Sequence, residues 1–394
     1  MKIIRIPKNL VISDLEKLYG ELSKLTETTN LLLPDEILSR DFAIEPLVMQ
    51  FVFSWIRHKH AGKIVIDYKG DAQGLADIVI KNYIYPSIIM AWRNGVCDRD
   101  MLDLREAIRP INRHILQSMQ ELKIATGSQK GFRSLLTCFD HLAQEQGLLN
   151  CFYFKGEFIR VESTLANSLS PVLDYVSSFV REGKADIQRI KADLVGIIHE
   201  LMSNTEEWAR TNINSQALRP NVRGVLIKFT KKTKRLLTKN YENHPGMADF
   251  FDNLSPTSKG EIYFIELSVF DSGIGFVSRF TGKSNESFEA FDQVQIIKKC
   301  LTKHHTSDRS LHRESKGLGL NRILNLLDKK GLIMIRTAGV FLFRNLKRYP
   351  HVEPKDAENM ELYDWQTNSS DNYSEMSSAT GSVVSIVYPI AINL

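Results

Sequence analysis

The feature that most constrains the fold is an apolar run that ends on one aspartate and two glycines. It covers residues 262–270 and continues as Asp271-Ser272-Gly273-Ile274-Gly275. Strand-type residues fill the run, and Gly273 and Gly275 indicate a turn directly after it. A carboxylate at the end of a buried strand can accept a hydrogen bond from a ligand's amino group, and glycines beside it allow close approach. Alone, the pattern is more typical of an ordinary tight turn, so the rest of the chain has to decide between the two.

The composition is that of an ordinary globular chain. Of its 394 residues, 43% are hydrophobic and 25% are charged, with a net charge of +5. These values predict ample core, about two domains and no strong attraction to nucleic acid. The four cysteines are scattered without metal-ligand spacing, which predicts reduced thiols and a cytoplasmic location. Neither a signal peptide nor a membrane span is expected.

The pattern of apolar residues predicts an α+β chain with two domains. Residues 1–162 are expected to form a smaller, mixed α/β N-terminal domain of unknown role, and residues 163–394 a second domain. In the first, the pattern predicts helices at 47–55 and 101–122, a strand at 63–68, and a hairpin at 152–161 that turns at Lys155-Gly156.

The second domain is predicted to begin with helices and to end with strands. Helices are expected at 165–182, 186–212, 247–254 and 318–328, and strands at 223–230, 262–270, 332–337, 340–343 and 381–389. The polar, serine-rich stretch 347–380 is predicted to be a mobile loop.

Two polar residues share one face of the second of these helices. Glu200 and Asn204 are four residues apart, so both project from the same side. A solvated polar stripe would have this spacing. So would a general base beside an oxygen ligand for magnesium, because glutamate can polarise an attacking water and magnesium prefers hard oxygen donors. Spacing alone favours the solvated stripe.

A glycine pair opens the predicted helix at 318–328. The sequence there is Lys316-Gly317-Leu318-Gly319-Leu320. Glycines at a helix N-terminus leave backbone N–H groups free to hold a phosphate, although a tight helix start has the same pattern.

A basic segment, residues 228–239, follows the strand predicted at 223–230. Its cations are Lys228, Lys231, Lys232, Lys234, Arg235 and Lys239. Such a segment can bind nucleic acid or an acidic partner. A solvated basic face is the favoured interpretation.

Taken in order, these motifs resemble those of the GHKL ATPase superfamily, which includes DNA gyrase B, MutL, the large heat-shock chaperones and histidine kinases. Residues 200–204 are similar to its first motif, 271–275 to the second and 316–320 to the third. Gly381-Ser382, before a strand that ends near Pro389, is similar to the fourth. The resemblance covers roughly residues 165–394 and implies a Bergerat α/β sandwich, with a mixed sheet and helices on one face. It also implies an insertion at 231–259 and an ATP lid at 276–316.

The resemblance assigns the base of ATP to one group of residues. Asp271 would accept a hydrogen bond from the adenine amino group, and Gly273 and Gly275 would give room for the ring. Ser382 would support the adenine through a water, at a position where the family usually has threonine.

The resemblance assigns the phosphates and the chemistry to a second group. Glu200 would activate the attacking water, and Asn204 would hold magnesium. The phosphates would lie at the third motif, whose residues are Lys316, Gly317, Leu318 and Gly319. The family usually has a further glycine where Ser315 stands.

The implied function is magnesium-dependent ATP binding with slow hydrolysis, in which closure of the lid signals to the N-terminal domain or to a protein partner. An alternative is a protein kinase of the anti-sigma type that phosphorylates a serine of a partner. A nucleotide-gated interaction module without turnover is a third. A self-phosphorylating sensor kinase is disfavoured, because His199 directly precedes Glu200 of the first motif and does not lie on a separate helical hairpin.

Overall fold

The protein is a mixed α/β molecule, as the sequence predicted, with two larger sheets and a two-stranded one. The computed structural model describes residues 2–81, 83–122, 132–178, 184–302 and 319–390. Among these, no helix is long and apolar enough to cross a membrane.

The first 120 residues form a small parallel sheet and five helices. The strand order is β1-β2-β3-β4, and each pairing is parallel. The strands are β1 (Lys2–Arg5), β2 (Thr29–Leu33), β3 (Ala61–Ile66) and β4 (Val96–Cys97). The helices are α1 (Ile12–Leu22), α2 (Ile44–Arg57), α3 (Ala72–Val79), α4 (Ile84–Met90) and α5 (Arg105–Gln120). The helices predicted at 47–55 and 101–122 and the strand predicted at 63–68 are confirmed, with shifted ends.

The second sheet has seven strands in the order β12-β11-β10-β13-β9-β8-β5. Its strands are β5 (Phe132–Phe139), β8 (Val222–Thr233), β9 (Glu261–Asp271), β10 (Leu332–Ala338), β11 (Val340–Asn345), β12 (Tyr363–Asp364) and β13 (Ala379–Ile390). A separate hairpin consists of β6 (Tyr153–Phe154) and β7 (Glu157–Phe158), as predicted. The prediction of a mixed sheet needs correction, because all six pairings of the seven strands are antiparallel.

Eight helices accompany these strands in the described part of the chain. They are α6 (Gln144–Gly147), α7 (Glu162–Ser177), α8 (Lys184–Trp208), α9 (Lys234–Asn240), α10 (Pro245–Asp252), α11 (Gly275–Thr281), α12 (Ala290–Leu301) and α13 (Gly319–Leu327). Two short 3-10 helices lie at Asn285–Ser287 and Ala357–Asn359. Each helix predicted after residue 163 is present, with ends shifted by a few residues.

Helices cover both faces of the large sheet, not one face as predicted. On β9, Phe264 and Glu266 face the segment that leads into α2, since the Phe264 ring lies 5.2 Å from that of Phe42 and Glu266 accepts from the Ala43 N–H at 3.2 Å. Asp271 is an odd number of residues from Phe264 and faces the other side, where α7 and α8 pack. The physical reason is that β9 is buried along nearly its whole length, so each face needs a cover.

The large sheet crosses the domain boundary that the sequence placed at residue 162. Strand β5, residues 132–139, pairs with β8 over its full length, so it belongs to the same sheet as Asp271. In addition, α2 packs on β13 and β9, and one continuous apolar core includes residues from both parts. Residues 1–162 therefore share a sheet and a hydrophobic core with residues 163–394.

The predicted insertion and the predicted mobile loop pack onto one another, since the rings of His244 and Trp365 lie 4.2 Å apart, and onto the sheet. The predicted insertion, 231–259, contains the end of β8 with α9 and α10, and Phe251 of α10 contacts Phe42. The predicted mobile loop, 347–380, contains β12, and its buried Trp365 stacks on Phe341 at 4.7 Å. This stretch is anchored to the sheet because apolar residues are interspersed among its polar ones.

Candidate functional site

A row of side chains crosses the large sheet where β9 ends. Cross-strand register aligns Cys138, Arg223, Asp271, Ser382 and Thr337, on β5, β8, β9, β13 and β10. Residues directly opposite each other project on the same face. This is the face that α8 covers, since Arg223 contacts Glu206 of α8 at 3.0 Å. The row brings together two predicted site residues, Asp271 and Ser382, that are far apart in sequence.

Asp271 is a buried carboxylate at the centre of this row. It is 7% exposed, and its Oδ1 accepts a hydrogen bond from the Gly273 N–H at 2.8 Å. Burial raises its pKa from the ordinary 3.8 to about 6, although the bond from Gly273 and the charge of Arg223 oppose the shift. At neutral pH the group is therefore mostly ionised in a poorly hydrated place. Such a carboxylate is a strong acceptor for a ligand's N–H group.

The predicted glycines occupy places where a side chain would collide with the protein. A Cβ on Gly273 would lie 2.7 Å from the Cα of Ala209, just beyond α8. Gly275 has a φ of +77°, and its Cβ would lie 2.9 Å from Thr337 Oγ1. Gly273 was expected to leave room for a ligand, but the structure fills that room with the Ala209 backbone. Its main effect is to bring the turn close to α8.

Ser382 and Gly381 join the turn to the last strand. Ser382 Oγ lies 3.0 Å from Thr337 Oγ1, and the Thr337 hydroxyl also reaches the Gly381 carbonyl at 3.1 Å. Gly381 has a φ of +70°, and a Cβ there would lie 1.9 Å from the Asp271 carbonyl oxygen. Only glycine fits this approach. Sequence reasoning missed Thr337, whose place is set by strand register.

Glu200 and Asn204 lie on α8 as predicted, and Glu200 has an ionic partner. Its Oε1 accepts from Arg322 Nη1 of α13 at 2.9 Å, and the same nitrogen contacts Glu162 of α7 at 2.5 Å. These bonds, that to Glu162 first, raise the pKa of Arg322. Arg322 therefore holds the candidate base between two helices. It was not found from the sequence, although it follows the third motif by only a few residues.

Asn204 has a buried side-chain nitrogen without a hydrogen-bond partner among the described residues. A buried amide group without a partner costs free energy. Its oxygen is the donor type that magnesium takes, so the residue fits a metal ligand that completes its shell with phosphate and water. No group of three or more His, Cys, Asp or Glu side chains that could hold a metal occurs in the described ranges.

The third motif is only partly described. Lys316, Gly317 and Leu318 lie outside the described residues, and so does part of the predicted lid, 276–316. Gly319 is described and begins α13, which packs along α8. The described part of the predicted lid contains most of α11 and all of α12.

A buried arginine beside Asp271 was also missed by sequence reasoning. Arg223 is fully buried and forms two bonds to Asp140, at 2.9 and 2.6 Å, and one to Tyr153 at 2.6 Å. With Glu206 it ties β8 to β5, to the hairpin and to the end of α8. The only signal in the sequence is a cation at the start of an apolar strand. The network fixes the row next to Asp271.

The basic segment 228–239 makes many contacts within the protein. Lys228 lies between Glu266 and Glu45, at 3.7 and 3.9 Å. Lys231 pairs with Glu261 at 3.1 Å, and Lys232 lies over the ring of Phe42. These contacts use three of its six charges for folding and add nothing in favour of a nucleic-acid surface.

Comparisons with known proteins gave no match: no protein-family model, no curated protein and no solved structure resembles the chain closely enough. The family resemblance therefore rests on the four motifs in the sequence and on where the structure places their described residues.

Proposed function

We propose that the chain binds ATP with magnesium at the end of β9 and hydrolyses it slowly. The observation that carries the proposal is the environment of Asp271, which is buried, flanked in register by Arg223 and Ser382, and followed by a glycine turn. An ordinary tight turn needs no desolvated carboxylate. A site that binds an N–H donor, such as the adenine amino group, needs a carboxylate that is shielded from water.

The base of the nucleotide is recognised by Asp271. Its pKa of about 6 leaves the carboxylate ionised at pH 7, and a charged acceptor makes a stronger hydrogen bond than a neutral one. The neighbouring Ser382 hydroxyl can take part through a water, as the resemblance implies. Thr337 is added to this group by its bonds to Ser382 and Gly381.

The phosphates lie toward α8 and α13 in this proposal. The N-terminal backbone of α13, which begins at Gly319, favours an anion. Asn204 supplies an oxygen to magnesium, which neutralises phosphate charge when bound. Glu200 orients and deprotonates the attacking water. Arg322 holds Glu200 Oε1 at 2.9 Å, which leaves Oε2 as the oxygen that takes the proton of the water.

Calorimetry with ATP, in magnesium and then in EDTA, tests the binding. We expect saturable binding that is stronger with magnesium; no binding at millimolar ATP would overturn the proposal. A γ-labelled ATP assay identifies the reaction. Free labelled phosphate supports the ATPase, label on a protein serine supports the kinase alternative, and neither product supports a nucleotide-gated module.

A further inference from the structure

The last strand carries an irregularity at the candidate site. Between β10 and β13 the register shifts, so that Thr337 pairs with Ser382 while the next residue, Ala338, pairs with Ala379. Thr380 and Gly381 are therefore extra residues on β13. A bulge of this kind leaves backbone groups without strand partners, and buried backbone groups must be satisfied elsewhere.

Helix α2, from the first third of the chain, supplies those partners. Ser54 Oγ accepts a hydrogen bond from the Thr380 N–H at 2.8 Å. Gln50 Nε2 donates to the Arg336 carbonyl at 3.1 Å and approaches the Gly381 carbonyl at 3.4 Å. Gln50 is fully buried and Ser54 is 7% exposed. The bulge that brings Gly381 against Asp271 is thus held from behind by two side chains of α2.

We call the place where Asp271 at the end of β9 meets Ser382 on β13 the Asp271–Ser382 corner. A third side chain of α2 contacts the Asp271 side of this corner. Arg57 Nη2 donates to the carbonyl of Ser272 at 2.9 Å and to that of Pro220 at 3.0 Å. Ser272 directly follows Asp271. Residues 50, 54 and 57 are spaced four and three apart, so they form one stripe along α2. This stripe contacts the backbone on both sides of the Asp271–Ser382 corner.

We propose that Gln50, Ser54 and Arg57 are positioning residues for the Asp271–Ser382 corner, and that α2 is therefore a working part of the nucleotide site. The inference rests on the proposed function for the identity of the ligand. The positioning of the corner by α2 is inferred from the geometry alone. The three side chains act through the backbone of Ser272, Thr380 and Gly381.

A pair of serine variants separates positioning from general stability. Ser54 and Ser87 are both buried, and each hydroxyl donates to the carbonyl four residues earlier in its helix, Gln50 or Tyr83. Only Ser54 also accepts a bond from the bulge. Ser54→Ala and Ser87→Ala therefore remove the same bond within a helix, and we expect both to lower thermal stability, Ser54→Ala by the further cost of the bond lost from Thr380.

Amide hydrogen exchange in the unliganded full-length protein reads the corner directly. We expect Ser54→Ala to speed exchange of the Thr380 amide about tenfold or more, as for a lost buried hydrogen bond. Ser87→Ala should leave it unchanged. For ATP we expect Ser54→Ala to raise Kd about tenfold while the turnover at saturating ATP stays close to wild type, because Glu200 and Asn204 are untouched.

Gln50→Met serves as a second variant of similar size if Ser54→Ala does not fold. Wild-type exchange at 380–382 and wild-type affinity in both variants would overturn the inference. Equal effects of Ser87→Ala would do the same, since they would show a general loss of stability. If the wild type binds no ATP, the proposed function fails, and the exchange measurement still decides whether α2 positions the corner.

Discussion

The two ends of the proposed nucleotide site are built in different ways. The base end, at Asp271 and Ser382, is made of neighbouring strand ends, and its side chains are fixed by strand register and by contacts to backbone. The phosphate end, at Glu200 and Asn204, is made of two helices joined by the ion pair of Glu200 with Arg322. The base end is held by the pairing of the strands, and the phosphate end is held by an ion pair between side chains.

This difference separates binding from chemistry. A preformed, buried acceptor binds without reorganisation, so changes at Asp271 should appear mainly in affinity. The ion pair with Arg322 positions Glu200, which acts only in the reaction step, so changes at Glu200 should appear mainly in turnover.

The largest effect is expected for Glu200→Gln. The amide keeps the size of the side chain but cannot act as a base. ATP should bind almost normally, while turnover falls by roughly 10²–10⁴-fold. Calorimetry and a phosphate-release assay measure the two quantities on the same preparation.

Glu162→Gln is the matched control for that variant. Glu162 binds the same arginine nitrogen as Glu200, so both variants remove one carboxylate from Arg322. Only the variant at Glu200 should lose turnover. Equal losses in both would assign the effect to the displaced arginine and would remove Glu200 from the role of base.

The second effect is on affinity at the base end. Asp271→Asn places an amide where the ligand's amino group needs an acceptor, and the charge is lost. We expect ATP binding to weaken by about 1.5–3 kcal/mol, with the maximal turnover changed much less. Unchanged affinity in calorimetry would refute the assignment of Asp271 to the base.

The same variant should be more stable than the wild type at neutral pH. In the folded state the pKa of Asp271 is raised above its ordinary value to about 6, so the folded protein binds more protons than the unfolded one between pH 4 and 6. The stability that this group contributes is complete below about pH 4 and is lost as the pH rises through about 6. The advantage of Asp271→Asn should therefore grow over that window to at most roughly 3 kcal/mol, as measured by urea unfolding at several pH values. A stability difference between Asp271→Asn and the wild type that is equal at pH 4 and pH 7 would contradict this prediction.

The third effect concerns metal at the phosphate end. Asn204→Ala should weaken ATP binding in magnesium by about tenfold, the loss of one good ligand contact, and should lower turnover as well. In EDTA the variant and the wild type should bind alike. A loss of the same size in EDTA would mean that Asn204 supports the helix or the nucleotide and does not bind metal.

The base end was easier to predict from the sequence than its surroundings. Asp271 and its glycines can be recognised from the local sequence, because an apolar strand that ends in a glycine turn is a pattern of neighbouring residues. Thr337 and Arg223 could not be found in this way. They reach Asp271 through strand register, and register is set by partners that lie far away in sequence.

The packing of α2 on the other face of the large sheet, opposite α8, was not predicted from the sequence. Strand β5 lies in the first 162 residues, which the resemblance to the GHKL superfamily does not cover, so the sequence predicted a separate domain there. Two signals were present: α2 is apolar nearly all round, which is typical of a buried helix, and β9 is apolar on both faces. Together they indicate a helix that packs on the sheet, but neither names Gln50 or Ser54 as partners of the bulge.

The smallest effect tests how finely the base end is built. Ser382 and Ser385 both lie on β13 and are both nearly buried, at 6% and 2% exposed, and each pairs with another hydroxyl, Thr337 at 3.0 Å or Ser268 at 2.7 Å. Being three residues apart, they face opposite sides of the sheet. Ser382→Ala and Ser385→Ala should each cost about 1 kcal/mol of stability for one lost hydrogen bond. Only Ser382→Ala should raise Kd for ATP, by about two- to fivefold for a hydroxyl that acts through a water. An equal rise in both would show that affinity follows the packing of β13 as a whole, and no change in either would remove the Ser382 hydroxyl from the site while leaving Asp271 in it.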